Sequence, residues 1–147
     1  MRRGLAIALA ACCAATGCGD DERRPPAACT DGAKPVLAAL REAPGEVTLA
    51  GRPLSACLTD GSDGGDVQRV GSAWVEAAAT LAERASGERE GKAALRLGYL
   101  VGAARRGAAS TPGIHAEMVR RLEQEAAPLE GHSAALERGR RAGRRLG

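Results

Sequence analysis

The side chains with the widest chemical repertoire in this chain belong to five cysteines and two histidines. A cysteine thiol can accept an acyl group, form a disulfide or bind a metal, and its neighbours and spacing indicate which. Cys18 closes an apolar N-terminal stretch, whereas Cys29 and Cys57 lie in a more polar part of the chain. The two groups therefore require separate interpretations.

The N-terminal stretch has the pattern of a signal peptide. Arg2 and Arg3 precede an apolar run over residues 4–15. This run is much shorter than the roughly 20 residues of a membrane-spanning helix, and its length is typical of a signal peptide. The stretch therefore predicts export.

The end of this stretch predicts a lipid anchor. It reads Ala15-Thr16-Gly17-Cys18 and resembles the lipobox of bacterial lipoproteins, with alanine at the position where leucine is usual. The resemblance implies that residues 1–17 are removed and that Cys18 carries a diacylglyceryl group and acyl chains such as palmitate. Cys12, after Leu9-Ala10-Ala11, is an alternative lipidation site. A signal peptide or short anchor without lipid is a third alternative.

The remaining cysteines predict a disulfide. Residues 18–28 are charged and contain Pro25 and Pro26, so we expect a flexible tether followed by a single helical domain over residues 29–147. Two cysteines remaining in an exported domain favour one Cys29–Cys57 disulfide. Metal binding by these two with His115 and His132 is disfavoured because the C-x-x-C spacing is absent. We predict no metal and no cofactor.

Apolar periodicity predicts a mainly α fold, a small bundle of four to five helices with a disulfide-tied N-terminal segment and little or no β structure. Helices are expected over residues 67–85, with Asp66 as their N-cap, and over 92–107, 114–127 and 133–146. The expected core residues are Val70, Trp74, Leu81, Leu95, Gly98, Val101, Gly102, Met118 and Leu122.

The stretch 92–107 is expected to be the central helix. Gly98 and Gly102 lie one turn apart and would form a notch on one side of it. We expect this notch to receive either the helix that contains Trp74 or the helix that begins at Ile114.

Charge is concentrated at the C-terminus. The net charge is only +3, which argues against nucleic-acid binding. The candidate contacts for an anionic lipid surface or an acidic wall polymer are Arg138, Arg140, Arg141, Arg144 and Arg145.

The sequence contains no catalytic motif that we recognise. His115 is expected to be a partly exposed helical histidine, because no nucleophile or carboxylate beside it in sequence could orient it. We therefore assign no catalytic residue.

The signal, the cysteine pair, the segment L-R-L-G-Y-L-V-G-A from Leu95 and the segment G-I-H-A-E from Gly113 resemble uncharacterised predicted lipoproteins of high-GC, actinobacterial-type bacteria. The resemblance implies no activity. It implies a location on the outer face of the plasma membrane, or in the outer membrane if the cell has two membranes. We expect a non-enzymatic module that binds an envelope protein or anionic polymer. The alternatives are a hydrolase or transferase whose carboxylates the fold assembles, and a membrane-surface protein with a basic C-terminus.

Overall fold

The structure, a computed structural model, describes residues 24–58, 64–110 and 113–147. Its helices are α1 (Ala33–Ala39), α2 (Gly64–Ser86), α3 (Lys92–Gly107), α4 (Ile114–Ala126) and α5 (Ala134–Leu146). The prediction of a mainly α bundle with a disulfide-tied N-terminal segment is therefore confirmed. The signal peptide and the candidate lipidation sites Cys18 and Cys12 lie outside the described residues.

The N-terminal segment is tied to the bundle by a disulfide. Cys29 ends a short 3-10 helix (Ala27–Cys29), Cys57 ends another (Leu54–Cys57), and their Cα atoms lie 5.7 Å apart in the predicted disulfide. Between them, β1 (Thr48–Leu49) and β2 (Arg52–Pro53) pair antiparallel. Ala50 and Gly51 connect these strands with φ values of 51° and 75°, as a two-residue hairpin turn of the primed type requires.

The four long helices alternate in direction. The first half of α2 and the first half of α4 line one groove, and their C-terminal parts line another, so these two helices run parallel. The α2–α3 connection is short, and α3 returns to end with Gly107 beside Ser55 and Leu58. We call this the disulfide end of the bundle. It holds the start of α2, the end of α3 and the start of α4.

Helices α3 and α5 run parallel to each other in backbone contact. A Cβ atom on Gly98 would overlap the carbonyl oxygen of Leu136, and one on Gly102 would overlap that of Arg140. In the other direction, a Cβ atom on Gly139 would lie 2.9 Å from the nitrogen of Tyr99. Only glycine allows this approach, since any side chain would occupy the space of the facing backbone.

This contact corrects the expectation about the partner of the Gly98 notch. Neither the Trp74 helix nor the Ile114 helix enters it; α5 does. The physical reason is that α5 has its own glycine pair, Gly139 and Gly143, at the same one-turn spacing. Two notched helices approach more closely than a notched helix and one with bulky side chains. We call this contact the glycine seam.

Both ends of α5 are held by polar contacts. At its start, the backbone N–H groups of Ala134 and Ala135 donate to the Glu90 carboxylate over 2.7 and 3.0 Å. At its end, the Arg106 guanidinium donates to the carbonyl of Arg145 over 2.6 Å. These contacts satisfy terminal backbone groups that have no partner within the helix. Helix α5 therefore docks along its length, although its glycines weaken it in isolation.

One hydrophobic cluster joins the helices and the N-terminal segment. The side chains of Trp74 and Tyr99 are fully buried in it, and the Tyr99 hydroxyl accepts a 3.2 Å hydrogen bond from the Val47 N–H. Leu95 is only partly buried and packs against the cluster. The other residues expected in the core are all buried: Val70, Trp74, Leu81, Gly98, Val101, Gly102, Met118 and Leu122. Within the described ranges, no helix combines the length and apolar character needed to cross a membrane.

Candidate functional site

In the described part of the chain a groove lies between α2 and α4, and we call it the α2–α4 groove. It encloses about 540 Å³. Its α2 wall combines a row of polar residues, Gln68, Ser72 and Glu76, with a row of small and apolar residues spaced four apart: Val67, Gly71, Val75 and Ala79. Residues four apart lie above one another on a helix, so this row forms a continuous apolar strip.

The α4 side of the groove contributes Ile114 and Met118. Ile114 is 50% exposed and is the only large hydrophobic side chain classed as exposed among the described residues. Met118 is buried at 4% exposure, and a Cβ atom on Gly71 would lie 3.5 Å from its Cγ. Because Gly71 has no side chain, Met118 forms the floor of the α2–α4 groove at this point. A methionine side chain adapts readily to different apolar partners.

Two of the polar residues that line the groove, Glu117 and Arg121, are paired with each other. Glu117 accepts hydrogen bonds from Arg120 over 2.7 Å and from Arg121 over 3.0 Å. The bond from Arg120, followed by that from Arg121, lowers the pKa of Glu117 to about 2. The carboxyl group is therefore ionised at neutral pH and cannot serve as a general acid there.

The start of α2 differs from the sequence prediction. The helix begins at Gly64 rather than after Asp66, so Asp66 lies in the first turn. Its carboxylate is buried and forms an ion pair with Arg69, one turn further along. A carboxylate in the first turn is favourable beside the positive end of the helix dipole.

His115 is buried, contrary to the expectation of partial exposure. Its residue is 5% exposed, and neither ring nitrogen has a hydrogen-bond partner in the described part of the chain. The described residues thus provide no hydrogen-bonded carboxylate to orient this imidazole. In those same ranges, no group of three or more histidine, cysteine or acidic residues could hold a metal ion.

The C-terminal arginines divide into two sets. Arg138, Arg141, Arg144 and Arg145 are exposed as expected. Arg140 is 8% exposed, so its assignment as a surface contact was wrong. It lies beside Gly139 at the glycine seam and forms ion pairs of 2.6 Å with Glu130 and 3.0 Å with Glu137. Arg140 is therefore a structural residue.

Sequence reasoning missed the α2–α4 groove. The apolar row used to predict α2 passes through Val70, Trp74 and Leu81, which face the core. The second row through Gly71 and Val75 was visible in the sequence, but nothing in it indicated that α4 would leave it uncovered. No protein-family model, no curated protein and no solved structure matches this chain.

Proposed function

We propose that this protein is an exported, lipid-anchored component of a bacterial cell envelope that acts as a non-enzymatic binding module. In this proposal the lipid is carried by Cys18. The binding surface is the α2–α4 groove, and its ligand is an amphipathic helix of a partner protein in the envelope. The observation that carries the binding proposal is the apolar groove with the exposed Ile114 at its edge.

The dimensions of the groove favour a helical ligand. Its α2 wall extends from Val67 to Ala79, and twelve residues of helix rise about 18 Å. An amphipathic helix places anchor side chains at intervals of three, four and seven residues, so two or three anchors fit this length. An exposed apolar surface on an otherwise polar protein is typical of such a contact.

The anchor is tested by the intact mass of the protein extracted from membranes. We expect a chain that starts at Cys18 and carries the added mass of a diacylglyceryl group and fatty acids. A mature chain with an unmodified Cys18, or one that starts at Cys12, would contradict this assignment.

The groove is tested by photo-cross-linking in whole cells. A photoreactive residue in place of Ile114 should give one discrete adduct, and Ala79→Glu on the opposite wall should abolish it by placing a charge in the groove. The matched control is the same photoreactive residue at Ala116, which is also exposed on α4 but does not line the groove. Equal adducts from both positions, or an adduct that survives Ala79→Glu, would argue against the groove.

A further inference from the structure

The chain enters the fold at the disulfide end. Ser55 Oγ donates a 2.7 Å hydrogen bond to the carbonyl of Gly147. The end of α5 therefore contacts a residue that precedes Cys57 by two positions in the sequence. Cys57 is bonded to Cys29, and Arg24 lies five residues before Cys29. The end of α5 and the point from which the tether departs therefore belong to the same end of the bundle.

The same end carries unneutralised positive charge. Arg144 and Arg145 are exposed in the last turn of α5, and Arg141 is exposed one turn before Arg145, towards the middle of the helix. Within the described ranges none of the three forms an ion pair with a carboxylate. The Arg106 guanidinium donates to the carbonyls of Arg144 and Arg145 and offsets the partial negative charge at the end of α5.

The opposite end of the bundle has a different charge pattern. Glu90 caps the start of α5, and Glu130 and Glu137 lie near that start, paired with the buried Arg140. Arg84 and Arg89 are also exposed at that end, but they stand among Glu83, Glu88 and Glu90, whereas residues 138–147 contain five arginines and no acidic residue. An anionic planar surface would orient such a domain with the disulfide end towards it.

We propose that the disulfide end of the bundle lies against anionic phospholipid headgroups of the membrane that holds the anchor, with Arg141, Arg144 and Arg145 as the contact residues. The proposal rests on the lipid anchor proposed for Cys18. Five residues lie between Cys18 and Arg24, and the six steps from Cys18 to Arg24 can span at most about 20 Å. Attraction to an anionic membrane acts within about one Debye length, roughly 8–10 Å, and a tether of this reach lets the disulfide end come within that range.

Arginine-specific labelling tests this orientation. The mature, lipidated protein is reconstituted into vesicles of neutral phosphatidylcholine, with or without phosphatidylglycerol, and treated with phenylglyoxal before mass spectrometry. We expect phosphatidylglycerol to reduce labelling of Arg141, Arg144 and Arg145 at least fivefold. Arg84 and Arg89, exposed at the opposite end, are internal controls and should be labelled equally on both vesicles. High salt should remove the protection.

Paired variants sharpen the test. Arg144→Gln with Arg145→Gln should remove the protection of Arg141, whereas Arg84→Gln with Arg89→Gln should preserve it despite the same loss of charge. Equal labelling of both ends on anionic vesicles, or protection confined to Arg84 and Arg89, would overturn the orientation.

Two further outcomes would each contradict a separate part of the proposal. A protein that fails to attach to neutral vesicles contradicts the lipid anchor itself, because attachment there requires no arginine. Protection by a soluble polyglycerol phosphate, with none from anionic vesicles, would overturn the lipid contact and identify an acidic polymer as the partner of the arginines.

Discussion

Gly139→Ala tests the glycine seam with the smallest side chain that can be added. The new Cβ atom would overlap the carbonyl oxygen of Leu95 and lie 2.9 Å from the nitrogen of Tyr99. Both atoms belong to the backbone of α3, so no rotamer change can relieve the overlap. The Cβ atom and the carbonyl oxygen would have to move apart by about 1.4 Å, because an ordinary contact between carbon and a carbonyl oxygen is roughly 3.3 Å or longer.

The size of the effect follows from two opposed contributions. Overpacking in a well-packed core typically costs about 1–3 kcal/mol, and a clash between backbones belongs at or above the upper end of that range. Replacing glycine by alanine within a helix returns about 1 kcal/mol of helix stability. We therefore expect Gly139→Ala to lower the free energy of unfolding by about 2–3 kcal/mol, which corresponds to roughly 10 °C in Tm for a domain of this size.

Gly71→Ala is the matched control. Gly71 also lies within a helix, but a Cβ atom there would meet Met118 Cγ at 3.5 Å, an ordinary contact. We expect this variant to be stabilised by about 0.5–1 kcal/mol, since it gains helix propensity without a clash.

Urea unfolding followed by circular dichroism at 222 nm, with the disulfide intact, measures both variants. The midpoint should fall for Gly139→Ala and rise for Gly71→Ala at unchanged m. Adding Gly98→Ala to Gly139→Ala should cost less than the sum of the two single changes, because the first alanine already opens the seam. If Gly139→Ala is as stable as Gly71→Ala, the two backbones are not in contact and the reasoning fails.

Three further predictions concern other contacts. Replacing both Cys29 and Cys57 by alanine should destabilise the fold by about 3–4 kcal/mol in thermal or urea unfolding, because the disulfide closes a loop with a sequence separation of 28 residues; an unchanged midpoint would contradict this. Arg140→Gln should cost about 1–2 kcal/mol by breaking the pairs with two half-exposed glutamates, whereas Arg138→Gln should stay within about 0.5 kcal/mol; equal effects would return Arg140 to the surface set. Glu117 should titrate near pH 2 in a carboxyl NMR experiment, because its arginine partners hold its pKa well below the usual value of 4.5. Its contribution to stability is present above pH 4.5 and is lost as the pH falls towards 2; an ordinary midpoint would show that the pairs do not form in solution.

Apolar periodicity was sufficient to locate the long helices, since amphipathic rows and glycine or proline breaks are local properties of the chain. The central helix has the predicted bounds Lys92–Gly107, and α4 begins at Ile114 as predicted. The start of α2 was harder to predict from the sequence, because a good N-cap at Asp66 does not exclude a helix that begins two residues earlier.

Helix partners were harder to predict because they depend on surfaces brought together by the fold. The Gly98 and Gly102 spacing correctly indicates a close approach, but it does not identify the approaching helix. The matching pair Gly139 and Gly143 was the available signal. The same reasoning could have predicted that Arg140, unlike the neighbouring arginines, is buried, since it follows Gly139 at the face of α5 that contacts α3.

The candidate site could be predicted only in part. The exposed arginines were visible as a charge run, whereas the α2–α4 groove depends on how far α4 covers α2. For His115 the sequence predicted the wrong exposure. Its sequence neighbours indicate a surface position, but packing of α4 buries it.

The glycine seam has a consequence for how the molecule assembles. Helix α5 contains two glycines, so on its own it would spend little time helical, and α3 cannot bury its notched face until α5 arrives. The two segments lie far apart in sequence, and contacts of this kind form late because a long loop must close first. We therefore expect hydrogen exchange in α5 to be governed by detachment of the whole helix. Its amides would then exchange together rather than fraying one by one from the end.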